Sequence, residues 1–415
     1  MTDPILIAGG GIGGLSAGVA LARAGFPVCV LEQSDTFSEM GAGIQVGPNA
    51  MRLLEEWGVA HLVMAYASVP EGIRVYEALT GELLNTVPLG SSAEARYGSP
   101  NVVIRRAQLQ KCLLESAWTQ SNLEIVTGFR LKGYESHEDC VEVFDAFGTR
   151  RRGRALIGAD GLQSTIRATV HDRQPETIGK TAWRTSVRTA DAPETFADPY
   201  IGIWMAPYGH LVHYPVDAGN EIDIIAVIED TYHFDGWGAD GDPDDLLPHF
   251  YNWDRYPLAF LEELPDWTKW TLFAMKPMDP WGRGRVTLLG DAAHPVQPFL
   301  AQGSAMAIED AAVLADEVRK SPSDLPAALR SYEQRRMRRT ARVQDASHRL
   351  GQIYHLAGVA RLARDAVLRR RKPMSLLARY DWLYGYTTTA PSPASTADAG
   401  RGDEVEGSTR TSAIT

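Results

Sequence analysis

The sequence predicts an α/β fold, in which a discontinuous Rossmann-like dinucleotide-binding domain carries an inserted, mainly antiparallel β-sheet domain and a set of C-terminal helices. Two glycine-containing segments, at residues 9–25 and 288–311, each follow a short apolar run that reads as a buried strand. Between them, residues 182–228 form β-branched and aromatic runs separated by Gly, Pro and Asp, which is typical of antiparallel strands. The dinucleotide-binding domain is therefore expected to come from distant parts of the chain.

The first glycine segment has the order strand, glycine loop, helix, strand and acid. Gly9, Gly11 and Gly14 follow the first apolar run in GxGxxG spacing, and Glu32 ends the second run. In this fingerprint one glycine makes a tight turn, one admits a pyrophosphate to the backbone, and one lets helix and strand pack closely. The acid accepts hydrogen bonds from ribose hydroxyls. A plain glycine turn is the alternative, and the fingerprint alone does not distinguish NAD from FAD.

The second glycine segment also indicates a cofactor. Gly290 and Asp291 end its strand, where a carboxylate can accept hydrogen bonds from a polyol such as a ribityl chain. Residues 301–303 lead into a predicted helix at 304–318, whose positive N-terminal end would stabilise the negative charge of a reduced flavin. An acid that caps a turn beside a structural helix is the alternative. Two such loops, nearly the whole chain apart, favour one long cofactor, FAD.

Composition and charge limit the possible partners. The chain has 415 residues, 44% of them hydrophobic, and a net charge of −11, which argues against nucleic acid or an anionic membrane as the main partner. Cys29, Cys112 and Cys140 are too few and too scattered for a disulfide scaffold. Because neither a signal peptide nor an apolar run of membrane-spanning length is recognisable, we expect a cytoplasmic protein.

The remaining elements follow from the same patterns. They are a strand pair at 74–88, a helix at 107–118, strands at 155–159 and 285–289, and long basic helices at 325–352 and 360–371. The predicted limits are 1–70, 100–175 and 276–386 for the dinucleotide-binding domain with the C-terminal helices, 71–99 and 176–275 for the substrate domain, and 387–415 for a disordered tail. Arg335, Arg339 and Arg342 share one helical face, which we expect to be solvated rather than an anion or membrane patch.

With these motifs in order, the chain resembles the single-component, class A flavoprotein aromatic hydroxylases over about residues 1–385. Four segments carry the resemblance: GGGIGG with Glu32, VIRRAQL with Arg106, GADG with Asp160 and Gly161, and GDAAHP with Gly290, Asp291, His294 and Pro295.

Within that family, GAGIQVGPNA, HLVHYPV and AQGSAMAIEDA are most similar to the 3-hydroxybenzoate 6-hydroxylase branch, and next to the 6-hydroxynicotinate 3-monooxygenase branch. The hydroxynicotinate branch usually has histidines where this chain has Gln45 and Phe299, and salicylate hydroxylases resemble the chain less.

The resemblance implies a monooxygenase with tightly bound, non-covalent FAD. NADH or NADPH would reduce the flavin, O₂ would form a flavin C4a-hydroperoxide, and one oxygen atom would pass to a small phenolic or heteroaromatic acid. Such oxygen transfer needs an electron-rich ring, so a base that titrates near neutral pH should draw off the phenolic proton. A homodimer is one possible assembly.

His213 is the predicted base, because it matches the branch position in the strand HLVHYPV. Strand alternation places His210 on the opposite face, so the two should not bind one metal. The alternative for His213 is a packed strand histidine. Gln302 is the second candidate, as an amide that orients the phenol oxygen, with a helix-entry role as its alternative. Gln45 and Gly303 are the remaining predicted cofactor-binding residues.

Several other side chains have two interpretations. His294 is predicted to contact the cofactor, or else to hold the loop before Pro295. Arg184 could bind a substrate carboxylate or pair with acids of the protein. Trp183, Trp204 and Tyr214 could wall an aromatic pocket or belong to the core.

Two rival functions stay open from the sequence. One is another flavin enzyme on the same scaffold, such as a reductase or a halogenase, although the halogenase pattern WxWxIP is absent. The other is a non-catalytic FAD-binding sensor that docks through its basic helices.

Overall fold

The computed structural model describes residues 3–37, 41–230, 238–264 and 266–388. Its strands are β1 (Ile5–Ala8), β2 (Val28–Leu31), β3 (Gly43–Val46), β4 (Gly72–Glu77), β5 (Glu82–Pro88), β6 (Val102–Arg105), β7 (Leu123–Val126), β8 (Leu131–Ser136), β9 (Val141–Asp145), β10 (Arg150–Gly153), β11 (Ala155–Gly158), β12 (Glu176–Arg188), β13 (Tyr200–Ala206), β14 (Gly209–Val216), β15 (Glu221–Glu229), β16 (Ala239–Gly241), β17 (Trp267–Ala274) and β18 (Val286–Leu288).

Its helices are α1 (Ile12–Arg23), α2 (Pro48–Glu56), α3 (Ala60–Met64), α4 (Gly90–Tyr97), α5 (Arg106–Trp118), α6 (Thr165–Val170), α7 (Glu194–Ala197), α8 (Pro243–Leu246), α9 (Arg255–Glu262), α10 (Gly303–Lys320), α11 (Leu325–Tyr354), α12 (Gly358–Arg370), α13 (Pro373–Ala378) and α14 (Asp381–Tyr384). No helix in these ranges is long and apolar enough to cross a membrane.

A five-stranded parallel sheet forms the dinucleotide-binding half, in the order β18, β11, β1, β2, β7. Every residue of its central strand, β1, is buried, as expected for a parallel strand with both faces covered. The helix α1 packs against α5 and α10. Because the five strands come from the beginning, middle and later part of the chain, the predicted discontinuous α/β architecture is confirmed.

The inserted half is an eight-stranded sheet in the order β16, β17, β12, β15, β14, β13, β4, β5. Its pairings are antiparallel except for β13 with β4, so the predicted mainly antiparallel sheet is also confirmed. Both faces are covered by buried side chains: Tyr214 and Val227 lie in one hydrophobic cluster, whereas Trp204 and Leu211 lie in another. This double coverage decides the placement of the candidate histidines below.

Two small sheets lie outside the predicted pattern. The antiparallel pair β3–β6 carries Gln45 to the inserted half, where the backbone N–H of Gly43 donates to Asp223 (2.7 Å). The strands β8, β9 and β10 form a separate three-stranded sheet. β10 reads RRRG, with no apolar alternation to reveal it in the sequence.

The basic face predicted on α11 is solvated only in part. Arg339 is buried and binds Glu309 of α10 (2.9 Å), and the neighbouring Arg336 is buried between Glu309 and Asp310. Arg335 pairs with acids at the end of α10. The expectation of a solvated face is therefore wrong for Arg339 and in part for Arg335, because α10 supplies carboxylates opposite them, whereas Arg342 is exposed and lies over the Trp382 ring (4.1 Å). Of the predicted disordered tail, residues 389–415 lie outside the described residues.

Candidate active site

A cavity of about 340 Å³ lies between the dinucleotide-binding half and one face of the eight-stranded sheet. The N-terminal ends of α1 and α10 both open onto it, so two helix dipoles present their positive ends there. Its polar lining side chains include Gln45, Arg106, His210, Tyr214, Asp291, Gln302, Ser304 and Tyr354. Its apolar walls come from both halves and include Ile203, Val212, Ile225, Val227, Val296 and Phe299.

The three fingerprint glycines have separate structural reasons. A Cβ on Gly9, at a φ of +104°, would lie 2.4 Å from the carbonyl oxygen of Ala159, and one on Gly14 would lie 1.9 Å from the carbonyl oxygen of Gly9. A Cβ on Gly11 would meet no protein atom within 4 Å, and Gly11 lines the cavity at the start of α1. No side chain caps that helix start. Open space beside uncapped N–H groups suits a pyrophosphate.

The two predicted acids that flank this loop already have protein partners. Glu32 accepts from the backbone N–H groups of Gly10 (2.7 Å) and Ser34 (2.9 Å), which fixes its carboxylate at the glycine loop. Asp160 accepts from the hydroxyl of Ser164 (2.5 Å) and the N–H of Ile166 at the start of α6. Asp160 itself does not line the cavity, whereas the adjacent residue, Gly161, does.

Gly290, Asp291 and Gly303 also line the cavity, together with Arg106 and Gln45. Desolvation raises the pKa of the Asp291 carboxyl, against the lowering effect of the Arg106 charge. A ribityl hydroxyl would restore hydrogen bonds to this carboxylate. The residues of both glycine segments therefore fit FAD, the first its pyrophosphate and the second its ribityl chain.

Gln302 lies directly before α10 and is held in one orientation by residues that the sequence did not suggest. The buried carboxylate of Glu309 accepts from the Asn49 amide nitrogen (2.7 Å), and the same nitrogen donates to Gln302 Oε1 (3.1 Å). Because a carboxylate only accepts, the Asn49 amide must face Glu309 with its NH₂ group. Gln302 is thereby left with its own NH₂ group for the cavity.

The structure places the two histidines of β14 in different surroundings. His210 lines the cavity, but His213 lies on the opposite face of β14, packed against Phe196 and Trp204. Neither ring nitrogen of His213 has a hydrogen-bond partner in the described part of the chain, and burial lowers its pKa to about 3. Gly202 leaves room for this ring, since a Cβ there would lie 1.6 Å from His213 Nε2. His213 is therefore not placed to reach a substrate in the cavity.

His294 is also displaced from its predicted role. Its Nε2 bonds to Asp310 (2.5 Å), which also accepts from the N–H of Gly290, and its ring lies beside Trp281 without lining the cavity. The alternative role of holding the loop fits His294 better than a cofactor contact, because the imidazole binds Asp310 and does not line the cavity. Pro295 lines a smaller adjoining cavity, and its carbonyl accepts from Gln344 (3.0 Å).

The structure also distinguishes the two interpretations of the aromatic side chains and of Arg184. Tyr214 lines the cavity and donates to the carbonyl oxygen of Gly43 (2.8 Å), whereas Trp183 and Trp204 belong to the cluster on the outer face. Arg184 pairs with the buried Asp223 (3.0 Å) and so is committed to a protein acid rather than to a substrate carboxylate.

These features together define a class: a flavoprotein whose cofactor cavity is closed by a second, β-sheet half. The chain matches the family model described as FAD binding domain over residues 2–347. It belongs to this family, as one of its NAD(P)H-dependent aromatic monooxygenases. The resemblance inferred from the motifs is thereby confirmed.

Relatives agree with this assignment. The chain is 36% identical to a 3-hydroxybenzoate 6-hydroxylase of Polaromonas naphthalenivorans (strain CJ2) over 387 residues, covering 92% of this chain and 96% of the relative. It is 32% identical to a 6-hydroxynicotinate 3-monooxygenase of Bordetella bronchiseptica (strain ATCC BAA-588 / NCTC 13252 / RB50), covering 83% and 90%. The structure of Klebsiella pneumoniae HpxO complexed with FAD and uric acid superposes with a TM-score of 0.80 at 26% identity, covering 91% of this chain and 95% of HpxO.

Bound FAD supplies the redox chemistry, accepting electrons from NAD(P)H and activating O₂. The chain's own contribution is a cavity with two helix ends, an oriented amide and a histidine. Its residues can hold the cofactor, exclude water from the ring and position one phenolic oxygen.

Proposed function

We propose that the chain hydroxylates a small hydroxybenzoate of the 3-hydroxybenzoate type, with NAD(P)H and O₂ as co-substrates. The observation that carries this proposal is that His210, Tyr214 and Gln302 line, together with apolar walls, the same cavity as the residues that fit FAD. One aromatic ring would lie against the apolar walls, with its hydroxyl directed at the polar group.

His210 is the proposed acceptor of the phenolic proton. It takes the role predicted for His213, because it stands three residues earlier in β14 and on the cavity face. Its Nε2 has no hydrogen-bond partner among the described residues, while its Nδ1 is bonded to His355 (2.7 Å). The Gln302 amide would donate to the phenolate oxygen and so stabilise the ionised form, whose ring is more electron-rich than that of the neutral phenol.

Two cavity residues favour a hydroxybenzoate over a hydroxynicotinate. Gln45 and Phe299, the positions at which the chain departs from the hydroxynicotinate pattern, both line the cavity. A substitution at the cavity wall acts on the ligand directly, so these departures bear on substrate choice. We keep 6-hydroxynicotinate and salicylate as comparison compounds.

A panel assay tests the proposal. The purified holoenzyme is mixed with NADH or NADPH and a series of hydroxylated benzoates and nicotinates, with coenzyme oxidation, hydroxylated product and hydrogen peroxide measured together. We expect 3-hydroxybenzoate to stimulate NADH oxidation with product formation. A protein that binds FAD but turns over with no aromatic compound would instead be a sensor.

A pair of variants tests the choice of histidine. His210→Gln should keep FAD and coenzyme oxidation but divert them to hydrogen peroxide, since a general base typically contributes about 10²–10⁴ in rate. His213→Leu is the matched control on the other face of the strand, and it should keep coupled hydroxylation. The reverse pattern would return the role to His213.

Assembly and location also stay proposals. We propose that the protein is cytoplasmic, and three free, buried cysteines support this location. We also propose a homodimer, which sedimentation of the holoenzyme would test.

A further inference from the structure

A line of hydrogen-bonding side chains runs from the cavity to the protein surface. His210 Nδ1 lies 2.7 Å from His355 Nε2, and His355 Nδ1 lies 2.8 Å from Lys180 Nζ. Lys180 in turn lies 2.8 Å from Glu229, whose carboxylate is also 3.6 Å from His355 Nδ1. The side chains become steadily more accessible, from His210 and His355, which are both buried, to 17% for Lys180 and 46% for Glu229.

The line draws on four different elements. His210 comes from β14, Lys180 from β12 and Glu229 from β15, while His355 directly follows α11. In the described part of the chain, Arg364 of α12 also acts on His355 by its charge, and it is held by Asp365 and by the carbonyl groups of the last residues of α11. The contacts therefore depend on tertiary packing and not on a local sequence motif.

Both imidazoles are held in the neutral form. Burial, followed by the charges of its neighbours, keeps the pKa of His210 well below its usual range. Burial and the Lys180 charge likewise lower the pKa of His355 to about 4, against the opposing effect of Glu229. Burial would raise the pKa of Glu229, but its hydrogen bond to Lys180 and the charges of Lys180 and His355 lower it. Because its pKa is low, His210 should transfer a proton that it accepts to the next group rather than stay protonated.

We propose that His210, His355 and Glu229 form a proton relay that carries the phenolic proton from the cavity to solvent, with Lys180 holding the relay in its discharged state. This inference rests on the function proposed above. It assigns His355, Lys180 and Glu229 a positioning and proton-transfer role outside the substrate cavity.

Each step of the relay conserves protons. The phenol O–H bond breaks and an N–H bond forms at His210 Nε2, while the proton on His210 Nδ1 passes to His355 Nε2. The proton on His355 Nδ1 passes to the Glu229 carboxylate, which releases it to water. The Lys180 ammonium then donates to the vacated His355 Nδ1, as in the 2.8 Å contact, so the structure shows the discharged relay; before the ligand ionises, His355 carries its proton on Nδ1, towards Glu229. In the discharged state His210 presents an N–H donor to the phenolate. The tautomers of His210 and His355 therefore change together with the charge of the ligand.

Rapid mixing of the holoenzyme with 3-hydroxybenzoate, in weak buffer with a pH indicator, tests the relay. In the wild type, binding should produce the phenolate absorbance and release one proton to solvent. His355→Gln should bind the ligand but slow both signals by about tenfold or more, as loss of a proton-transfer group predicts. Added imidazole should restore part of the rate.

Two further variants sharpen the test. His348→Gln changes an exposed histidine on the same helix and should behave as the wild type. Lys180→Met acts at the accessible end and should shift the pH profile of ligand ionisation without removing FAD. Ligand ionisation in His355→Gln at the wild-type rate would overturn the relay, whatever the substrate of the enzyme.

Histidine tautomers give a readout that needs no substrate. In ¹⁵N-histidine-labelled holoenzyme, Lys180→Met should change the tautomer of His210, to which Lys180 makes no direct hydrogen bond. Unchanged His210 signals would overturn the relay even if no phenol binds. If the relay signals appear and no panel compound is hydroxylated, the proposed substrate class fails and the relay stands. If the wild type hydroxylates 3-hydroxybenzoate but never ionises it on binding, the substrate class stands and the relay fails.

Discussion

Replacing Gly14 by alanine should destabilise the protein in the absence of FAD, whereas replacing Gly11 should weaken FAD binding and leave that stability unchanged. The contrast follows from where each new methyl group would lie. On Gly14 it would be 1.9 Å from the carbonyl oxygen of Gly9, so α1 must move away from the strand before it. On Gly11 it would meet no protein atom within 4 Å and would occupy space at the cavity wall.

The expected magnitudes differ accordingly. Overpacking of this kind typically costs about 1–3 kcal/mol. The helix preference of alanine over glycine offsets about 0.5–1 kcal/mol of it. Gly14→Ala should therefore lower the free energy of unfolding by about 1–2 kcal/mol. Gly11→Ala should change it by less than about 0.5 kcal/mol, but should weaken FAD binding by about 10-fold or more, or about 1.4 kcal/mol.

Urea unfolding of the FAD-stripped variants measures the first quantity, and titration with FAD, followed by quenching of flavin fluorescence, measures the second. Full stability of Gly14→Ala would refute the packing argument. Wild-type FAD affinity of Gly11→Ala would refute the assignment of the open space to the pyrophosphate.

Three further predictions follow from the buried charges and the fingerprint acid. Arg336→Met leaves Glu309 and Asp310 buried without this cation, so urea unfolding should show that the free energy of unfolding falls by about 3–5 kcal/mol. A decrease of less than about 1 kcal/mol would contradict a stabilising ion pair. Burial raises the pKa of Asp310, but the charges of His294 and Arg336 outweigh it and hold the pKa at about 2. Because the unfolded value is about 3.9, this stabilisation is present above about pH 4 and is lost as the pH falls towards 2, and Asp310→Asn should flatten that part of the unfolding profile. Glu32→Ala should weaken FAD binding by about 1–3 kcal/mol in the same flavin titration, and an effect of a few tenths would make the acid incidental.

The dinucleotide-binding half was predictable because its signals are local. The strand, glycine turn and helix of residues 5–23 are adjacent in sequence, and each fingerprint glycine answers to a backbone constraint within that unit or to the space in front of it. The second segment, at Gly290 and Asp291, was equally readable because a strand end and a helix start enclose it.

The histidine that faces the cavity could not be chosen from the strand pattern. Alternation correctly separated His210 from His213, but it does not say which face is inside. In β14 both faces are covered, with His210 2% exposed and His213 1% exposed, so the usual contrast between an apolar and a polar face is missing.

The buried polar networks were beyond the sequence for a related reason. Arg339 meets Glu309 across two helices, and Asn49 meets Gln302 across 253 residues of sequence. Helical spacing shows which side chains share a face but not which element covers that face. The residues that orient Gln302 therefore emerge only from the tertiary structure.

Hydroxylation with labelled oxygen tests the central claim most directly. The holoenzyme is incubated with NADH, 3-hydroxybenzoate and ¹⁸O₂, and the aromatic product is analysed by mass spectrometry. We expect a dihydroxybenzoate with one ¹⁸O atom on the ring, formed in proportion to the NADH consumed, and its near-complete replacement by labelled hydrogen peroxide in His210→Gln. NADH oxidation that yields labelled peroxide and no ring-labelled product in the wild type, across the whole panel of hydroxylated benzoates and nicotinates, would contradict it.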